Sequence, residues 1–197
     1  MVIPPNGYLN AVRALCSEHE CLWILDEIQT GLGRTGIMFA CQWEEVSPDI
    51  MVQSKSLSGG LIPIGATLSS KHVWQRAYGN IDRFALHTST FGGGNFAAAA
   101  AMAAPDVIER ENLAENATLL RKQLEATIKA LESTLADMFV LRIMTKLSKE
   151  HHMLTFVTAN NNRVMRIQPP LILSLEEADT FVRALSKVCE ELSTFES

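Results

Sequence analysis

Two charged side chains stand just beyond apolar runs that are typical of buried strands. Asp26 directly follows residues 21–25 (CLWIL), and Lys55 closely follows residues 49–52 (DIMV). A strand, a crossover and the next parallel strand need about 30 residues, so both groups are expected at one edge of a sheet. A carboxylate there can pair with a protonated ring nitrogen, and a partly desolvated lysine can attack a carbonyl carbon. Taken singly, Asp26 could instead make local turn hydrogen bonds, and Lys55 could be a solvated surface lysine.

The third feature is a loop rich in hydroxyls and glycines at residues 87–95 (HTSTFGGGN). It precedes a predicted helix, whose free backbone N–H groups together with the Thr90 hydroxyl make a receptor for phosphate. The glycines could equally serve only to make a turn. In combination, a lysine, a carboxylate and a phosphate receptor are what pyridoxal 5'-phosphate requires at its aldehyde, its pyridine nitrogen and its phosphate. The sequence therefore predicts this cofactor.

Four sequence words follow one another in a fixed order: LDEIQTGLGRTG at 25–36, SKSLSGG at 54–60, PIGA at 63–66 and TFGG at 90–93. In these words the chain resembles the class III, ornithine-type aminotransferases of pyridoxal phosphate fold type I. The resemblance implies an α/β fold with a mostly parallel sheet and flanking helices. It also implies transamination, in which an amino group moves from an amine or amino acid donor to a 2-oxo acid.

The resemblance also assigns roles to residues around the cofactor ring. Asp26 would pair with the pyridine nitrogen, Gln29 would bond the ring hydroxyl, and Ile28 would lie against one ring face. Lys55 would hold the cofactor as a Schiff base and then act as the general base that moves the substrate proton.

Two further residues are assigned by the same resemblance. Thr90 would reach the phosphate of the cofactor in the neighbouring subunit, which implies a homodimer. Arg166, in VMRIQPPL at 164–171, would grip a substrate carboxylate, for which a planar guanidinium is well shaped. A surface arginine before a Pro-Pro turn is the alternative for Arg166.

The resemblance extends over the C-terminal half of the family pattern. The turn that supplies most phosphate contacts in the family and the aromatic residue that stacks on the other ring face have no match in this sequence. The family's V-R-G-x-G stretch is missing near residues 136–140, so we expect an internally shortened small domain. Two alternatives to transamination stay open. One is a truncated, non-catalytic remnant or assembly module, and the other is a different class III reaction, such as that of an aminomutase, racemase or decarboxylase.

Alternating helical and apolar segments predict the α/β architecture that must position these groups. Expected strands lie at 21–25, 49–52, 64–68, 139–141, 153–157 and 164–167, and expected helices at 7–18, 96–110, 113–135, 142–150 and 174–192. The unbroken apolar run at 21–25 is typical of a strand covered on both faces of a parallel sheet. Ser174 and Glu177 form a capping box at the start of the last helix.

A change in composition predicts a domain boundary near residue 110. The segment 1–110 is then expected to be the C-terminal part of the cofactor-binding large domain. The segment 111–197 is expected to contain a connecting helix and an α+β small domain.

Composition excludes several other classes of function. The 197 residues carry a net charge of −5 with thinly spread Lys and Arg, which argues against nucleic-acid binding through a basic face. The longest apolar run, 96–104, is far shorter than the about 20 residues that cross a bilayer, so no membrane partner is expected. With no readable secretory signal, a cytoplasmic location is expected. The four cysteines show no CxxC pair, which predicts reduced thiols and no metal site.

Overall fold

The computed structural model describes residues 3–83, 85–131, 139–158 and 161–193. The chain forms two compact units, which divide after residue 117, and each is described by itself. We call residues 4–117 the N-terminal unit and the residues from 118 onward the C-terminal unit. The division falls inside one helix. The assignment of 1–110 to the large domain and of 111–197 to the small domain stays a prediction.

The N-terminal unit contains a three-stranded sheet in the order β1-β2-β3. Its elements are α1 (Tyr8–Glu18), β1 (Ile24–Asp26), β2 (Ile50–Gln53), β3 (Ala66–Ser69), α2 (Lys71–Tyr78) and α3 (Asn95–Arg110), with 3-10 helices at Ala40–Glu44 and Lys55–Ser58. β1 pairs with β2 in parallel, and β3 pairs with β2 in antiparallel orientation. The apolar runs at 49–52 and 64–68 therefore form strands, as expected, and the structure shows that these two strands are neighbours in the sheet.

One expectation for β1 is wrong. The run at 21–25 predicts a strand covered on both faces, but the strand begins at Ile24, and the Ile24 side chain is 60% exposed. Side chains of a strand point away from the plane of the sheet, so a 60% exposed Ile24 means that its face of β1 is not covered by the described residues. The residue that is buried is Trp23, immediately before the strand.

Two acidic side chains from later in the chain, Glu44 and Asp49, form hydrogen bonds and an ion pair with α1. Gly7 precedes the helix and has no capping side chain, and Glu44 takes that role. Its carboxylate accepts the Gly7 and Asn10 N–H groups at 3.0 Å each. Further along the helix, Arg13 forms an ion pair with Asp49 at 2.8 Å, and the same Asp49 oxygen accepts the Trp23 N–H at 2.8 Å. These contacts connect α1 to the start of both parallel strands.

The C-terminal unit contains most of α4 (Leu113–Leu131), then α5 (Phe139–His151), β4 (Phe156–Thr158), β5 (Asn161–Arg166) and α6 (Leu175–Ser193). β4 and β5 pair in antiparallel orientation, with an irregular register between Val157 and Thr158. The core lies between α5 and α6 and includes Ile143, Leu147, Leu185, Val188, Cys189 and Leu192. Residues 132–135 of the predicted 113–135 helix lie outside the described residues.

The prediction of a strand at 139–141 is wrong, because these residues begin α5. Val140, Ile143 and Leu147 are spaced three and four residues apart and are all buried, as one face of a helix requires. The helix predicted at 142–150 therefore includes the preceding apolar residues.

The predicted capping box is confirmed at the start of α6. The Glu177 N–H donates to Ser174 Oγ at 3.2 Å, and the Glu177 carboxylate accepts the Ser174 N–H at 2.8 Å. The second bond lowers the pKa of Glu177. Leu185, Val188 and Leu192 are buried on one face of the helix, as its periodicity predicts.

The described residues contain no helix long and apolar enough to cross a membrane. In the same residues, no group of three or more His, Cys, Asp or Glu side chains forms a metal-binding cluster.

Candidate active site

The parallel register of β1 and β2 defines the candidate site. Asp26, the last residue of β1, lies opposite Val52. β2 ends one residue later at Gln53, and Lys55 follows after Ser54. Because parallel strands run in the same direction, the carboxyl ends of β1 and β2 meet at one edge of the sheet. Asp26 and Lys55 thus both lie at this edge.

The Asp26 side chain is exposed and forms a local turn. One carboxylate oxygen, Oδ1, accepts the Ile28 N–H at 2.9 Å. This is the bond that a loop carboxylate makes with the backbone two residues on. The other oxygen has no partner among the described residues, so a charged carboxylate oxygen is open at the sheet edge.

Glu27 was missed by the sequence reasoning, which considered only its neighbour. Its side chain is 1% exposed, and its carboxylate accepts the Cys41 N–H at 2.9 Å and the Thr30 hydroxyl. Its backbone N–H donates to the Val52 carbonyl at 3.1 Å. Burial, and then the Glu27 charge, raise the pKa of the Cys41 thiol. The only signal in the sequence was a second acid after an apolar run.

Lys55 has an unusual backbone conformation. Its φ of 51° lies in the left-handed region, which is costly for a residue with a Cβ atom. Hydroxyls hold the segment on either side: Ser54 donates to the Ile64 carbonyl at 3.0 Å, and Ser58 donates to the Ile62 carbonyl at 2.6 Å. The 59–65 loop therefore fixes the turn in which Lys55 lies.

The expected desolvation of Lys55 is not found in this chain. Its side chain is exposed, because the residues around it are small and the glycine pair that follows covers nothing. Any burial of this amine must come from groups other than the described residues.

Gln53 is a second residue that the sequence reasoning missed. Its side chain is 2% exposed, yet neither its amide nitrogen nor its amide oxygen has a hydrogen-bond partner among the described residues. A Cβ atom at Gly31 would lie 2.8 Å from both of these atoms. A Cβ atom there would also lie 2.9 Å from the Glu27 carbonyl oxygen, which cannot move as a side chain can, so this contact between the loop after β1 and the end of β2 favours glycine.

The other residues predicted to contact the cofactor lie in two loops, one after β1 and one before α3. Ile28 is half-buried and Gln29 is exposed, and both follow Asp26 in the same loop. Thr90 is exposed in the loop before α3, and α3 packs against the 3-10 helix that begins with Lys55. In that loop the Gly92 and Gly94 N–H groups donate to the Ser89 and Phe91 carbonyls, at 3.1 and 3.3 Å. The glycines thus make turns, while the start of α3 has no side-chain cap.

Arg166 ends β5 in the C-terminal unit. Its side chain is half-buried, and its Nε atom has no hydrogen-bond partner among the described residues. It follows that the structure leaves this guanidinium open for an anion.

The fold of this chain matches part of solved aminotransferases. The ornithine aminotransferase of Toxoplasma gondii matches at 31% identity and a TM-score of 0.83, over 98% of this chain and 49% of that chain. The acetylornithine aminotransferase of Elizabethkingia anophelis matches at 32% identity and a TM-score of 0.81, over 96% of this chain and 53% of that chain. The predicted fold class is confirmed: the chain has the α/β architecture of part of a fold type I aminotransferase.

Sequence comparison identifies the family. The profile of the aminotransferase class-III family matches residues 1–189. Aminotransferase PigE from a Serratia species is 37% identical over 259 aligned residues, which cover 98% of this chain and 30% of that protein. This chain belongs to the aminotransferase class-III family, as its four sequence words predict.

The chain spans about half the length of these solved aminotransferases and less than a third of PigE. The 259-residue alignment with PigE is longer than the 197 residues of this chain. PigE therefore has segments within the matched region that have no counterpart here. This agrees with the expectation of an internally shortened chain.

Proposed function

We propose that this chain takes part in a pyridoxal 5'-phosphate-dependent transamination that moves an amino group from an amine or amino acid to a 2-oxo acid. The observation that carries the proposal is the parallel register of β1 and β2, whose carboxyl ends share one sheet edge. Membership of the class-III family supports the reaction class. Because the chain spans about half of the related structures, its proposed role is that of one part of a whole enzyme.

The residues at this edge fit pyridoxal phosphate at two ends of its ring. The open Asp26 oxygen can accept a hydrogen bond from a protonated ring nitrogen. The exposed Lys55 amine, which has no partner in the described part of the chain, can reach an aldehyde. When bound, the cofactor supplies the aldehyde that takes up amino groups and the ring that accepts an electron pair from the substrate carbon.

Each residue of the edge then has one task. When the cofactor is bound, the Lys55 amine would hold it, and once a substrate amine had displaced Lys55 from the cofactor, the freed amine would act as the general base at the substrate carbon. Asp26 would keep a proton on the ring nitrogen, Gln29 would bond the ring hydroxyl, and Ile28 would cover one ring face. Glu27 acts through this loop as a positioning residue, because its buried carboxylate holds Thr30 and Cys41.

Two residues act on other groups. Thr90 binds the phosphate of the cofactor in the neighbouring subunit of a homodimer, which its exposed hydroxyl permits. Arg166 binds the carboxylate of the amino acid or 2-oxo acid, which fits a guanidinium without a protein partner at its Nε atom. The cytoplasmic location stays a prediction.

Covalent labelling tests the proposal directly. The full chain is mixed with equimolar pyridoxal phosphate, reduced with borohydride and analysed by peptide mass spectrometry. We expect one label per chain, on Lys55, and a loss of most labelling in Lys55→Ala. Lys71→Ala is the matched control, because Lys71 is an exposed lysine of the same unit on α2. Its labelling should equal that of the wild type.

The same measurement defines what would contradict the proposal. Absence of label from Lys55, or label spread evenly over Lys55, Lys71 and other exposed lysines, means that the edge does not select the cofactor. A chain of that kind fits a non-catalytic member of the family.

A further inference from the structure

The C-terminal end of α1 brings two of the four cysteines together. The helix ends at Glu18, and Glu20 follows with a φ of 52°, in the left-handed region. The chain then turns back: the Cys21 N–H donates to the Cys16 carbonyl at 2.8 Å, and the Glu20 N–H donates to the Ser17 carbonyl at 3.4 Å. A left-handed residue with this pair of bonds defines a Schellman motif. The motif places residue 21 beside residue 16.

The hydrogen bond between the two cysteines limits how far apart they can be. Their N and O atoms are 2.8 Å apart, so with standard bond lengths on either side the Cα atoms of Cys16 and Cys21 are at most about 6.7 Å apart. A disulfide needs Cα atoms about 4.4–6.8 Å apart. The backbone of the motif can therefore accept a disulfide without a change of fold.

The two thiols are free, and they differ in exposure. Cys21 is exposed, and its Sγ atom donates to the His19 carbonyl at 3.4 Å, which keeps the thiol at the end of the helix. Cys16 is half-buried, whereas Cys41 and Cys189 are buried. Since the oxidation of a thiol depends on its exposure, a reagent in solution reaches Cys21 first.

We propose that Cys16 and Cys21 form a reversible disulfide by exchange with small-molecule disulfides. The Cys21 thiolate attacks one sulfur of the small disulfide, whose S–S bond breaks and releases one small thiol. The Cys16 thiolate then attacks the Cys21 sulfur, so the bond between the two cysteines forms and the second small thiol leaves. The two protons of the protein thiols pass to the released thiolates. The chain gives up two electrons, which reduce the small disulfide.

This disulfide would join the end of α1 to the residues that enter β1. Cys21 precedes β1 and Asp26 ends it, so the two lie at opposite ends of the strand. The exchange needs no cofactor and goes beyond the proposed function of the sheet edge. An excess of a small thiol reverses both steps, so the reduced thiols predicted from the sequence are the starting state.

The charge around the motif favours a cationic disulfide as the reagent. Glu18 and Glu20 are both exposed beside the two cysteines, and the C-terminus of a helix carries a partial negative charge. Cystamine, a disulfide with two ammonium groups, is therefore the probe. The alternative is that the two thiols serve only as the apolar contact that often accompanies a Schellman motif.

Peptide mapping of the native full chain after treatment with cystamine tests the proposal. Trypsin cleaves after Arg13 and Arg34, so one peptide, 14–34, contains both cysteines and no others. We expect this peptide to lose two hydrogen atoms in mass, and its fragments to stay joined after further cleavage at Glu18 and Glu20. This form should exceed the mixed disulfide with cysteamine by at least about tenfold. The peptides with the buried Cys41 and Cys189 should stay unmodified.

Two variants separate the disulfide from simple reactivity of Cys21. Cys16→Ser should keep the cysteamine adduct on Cys21, because no second thiol displaces it. Cys16→Ser combined with Ser17→Cys is the matched control, since it retains four thiols but moves one of them about 100° around the helix axis. It should also keep the adduct. A wild-type chain that carries only adducts, or a control that forms the internal disulfide as readily as the wild type, would overturn the inference.

Discussion

Adjacent carboxylates at the end of β1 have opposite environments. Asp26 is exposed and accepts one backbone N–H, whereas Glu27 is buried and accepts from a backbone N–H and a hydroxyl. A buried carboxylate needs such donors, since each of them replaces a lost water molecule. Asp26 is thus available for a ligand, and Glu27 holds the loop that carries it.

This contrast predicts different costs for two isosteric substitutions. Glu27→Gln should lower the free energy of unfolding by about 1.5–3 kcal/mol, because it weakens charge-assisted bonds to buried donors. Asp26→Asn should change it by less than about 0.5 kcal/mol, because the side chain is exposed and the amide oxygen can still accept the Ile28 N–H. Urea unfolding monitored by circular dichroism measures both. Equal costs would contradict a structural role for Glu27.

At the scale of elements, α1 depends on ionic contacts that are sensitive to pH. Asp49 accepts both the Trp23 N–H and the Arg13 guanidinium. The Trp23 bond, and then Arg13, lower the pKa of Asp49 in the folded chain. A carboxylate with a lowered folded pKa stabilises the fold above its unfolded pKa, and this contribution is lost as the pH falls through the folded value.

Asp49→Asn should therefore destabilise the chain at about pH 7. Its effect should be smaller at about pH 3, which lies below the pKa of an unfolded aspartate, because part of the stabilisation by the wild-type carboxylate is lost there. Urea unfolding at both pH values measures the difference. Asp106→Asn is the control, because Asp106 is exposed on α3 and has no partner among the described residues. An Asp49→Asn effect that does not change with pH would contradict the linkage.

α5 shows how an element can be misread from its first residues. The apolar triplet at 139–141 resembles a short strand when it is considered alone. Within α5, however, Ile143 is 1% exposed and Leu141 is 54% exposed. The period of 3.6 residues, and not the local composition, determines which side chains face α6.

Alanine substitutions on the two faces of α5 test this assignment. Ile143→Ala should cost about 2–5 kcal/mol of unfolding free energy, because it leaves a cavity in the core. Leu141→Ala should cost less than about 0.5 kcal/mol, because its side chain is largely exposed. Thermal and urea unfolding give both values. Comparable costs would indicate that residues 139–141 are buried in another way.

At the scale of the whole molecule, the N-terminal unit exposes apolar surface. Phe96 and Met102 on α3, together with Phe91 just before it, are all exposed. β1 and β3 each have a single partner strand among the described residues, so the three-stranded sheet has two open edges. Exposed apolar surface and open sheet edges both favour association.

We therefore expect the purified chain to associate as its concentration rises. Phe96→Ser should shift the association to higher concentration, as measured by sedimentation velocity. Ile172→Ser is the matched control, because Ile172 is an exposed apolar residue of the C-terminal unit. A wild-type chain that stays monomeric over the whole concentration range would contradict the expectation.

Much of the candidate site could be predicted from short sequence motifs and from the local periodicity of apolar residues. The segment after β1 and the lysine after β2 were predicted as neighbours, because their spacing matches one parallel crossover. The roles of Glu27 and Gln53 were not readable. Both are polar side chains, and what makes them important is burial against Cys41 and Gly31, which lie far from them in the sequence.

The sequence by itself determined the family, the capping box of the last helix and the order of the chemical groups along the chain. These features depend on residues within a few positions of one another, where side-chain period and capping hydrogen bonds act. The tertiary structure alone decided the antiparallel pairing of β3 and the exposure of Ile24 and Lys55. Pairing and burial depend on contacts between distant segments, and no local pattern contains that information.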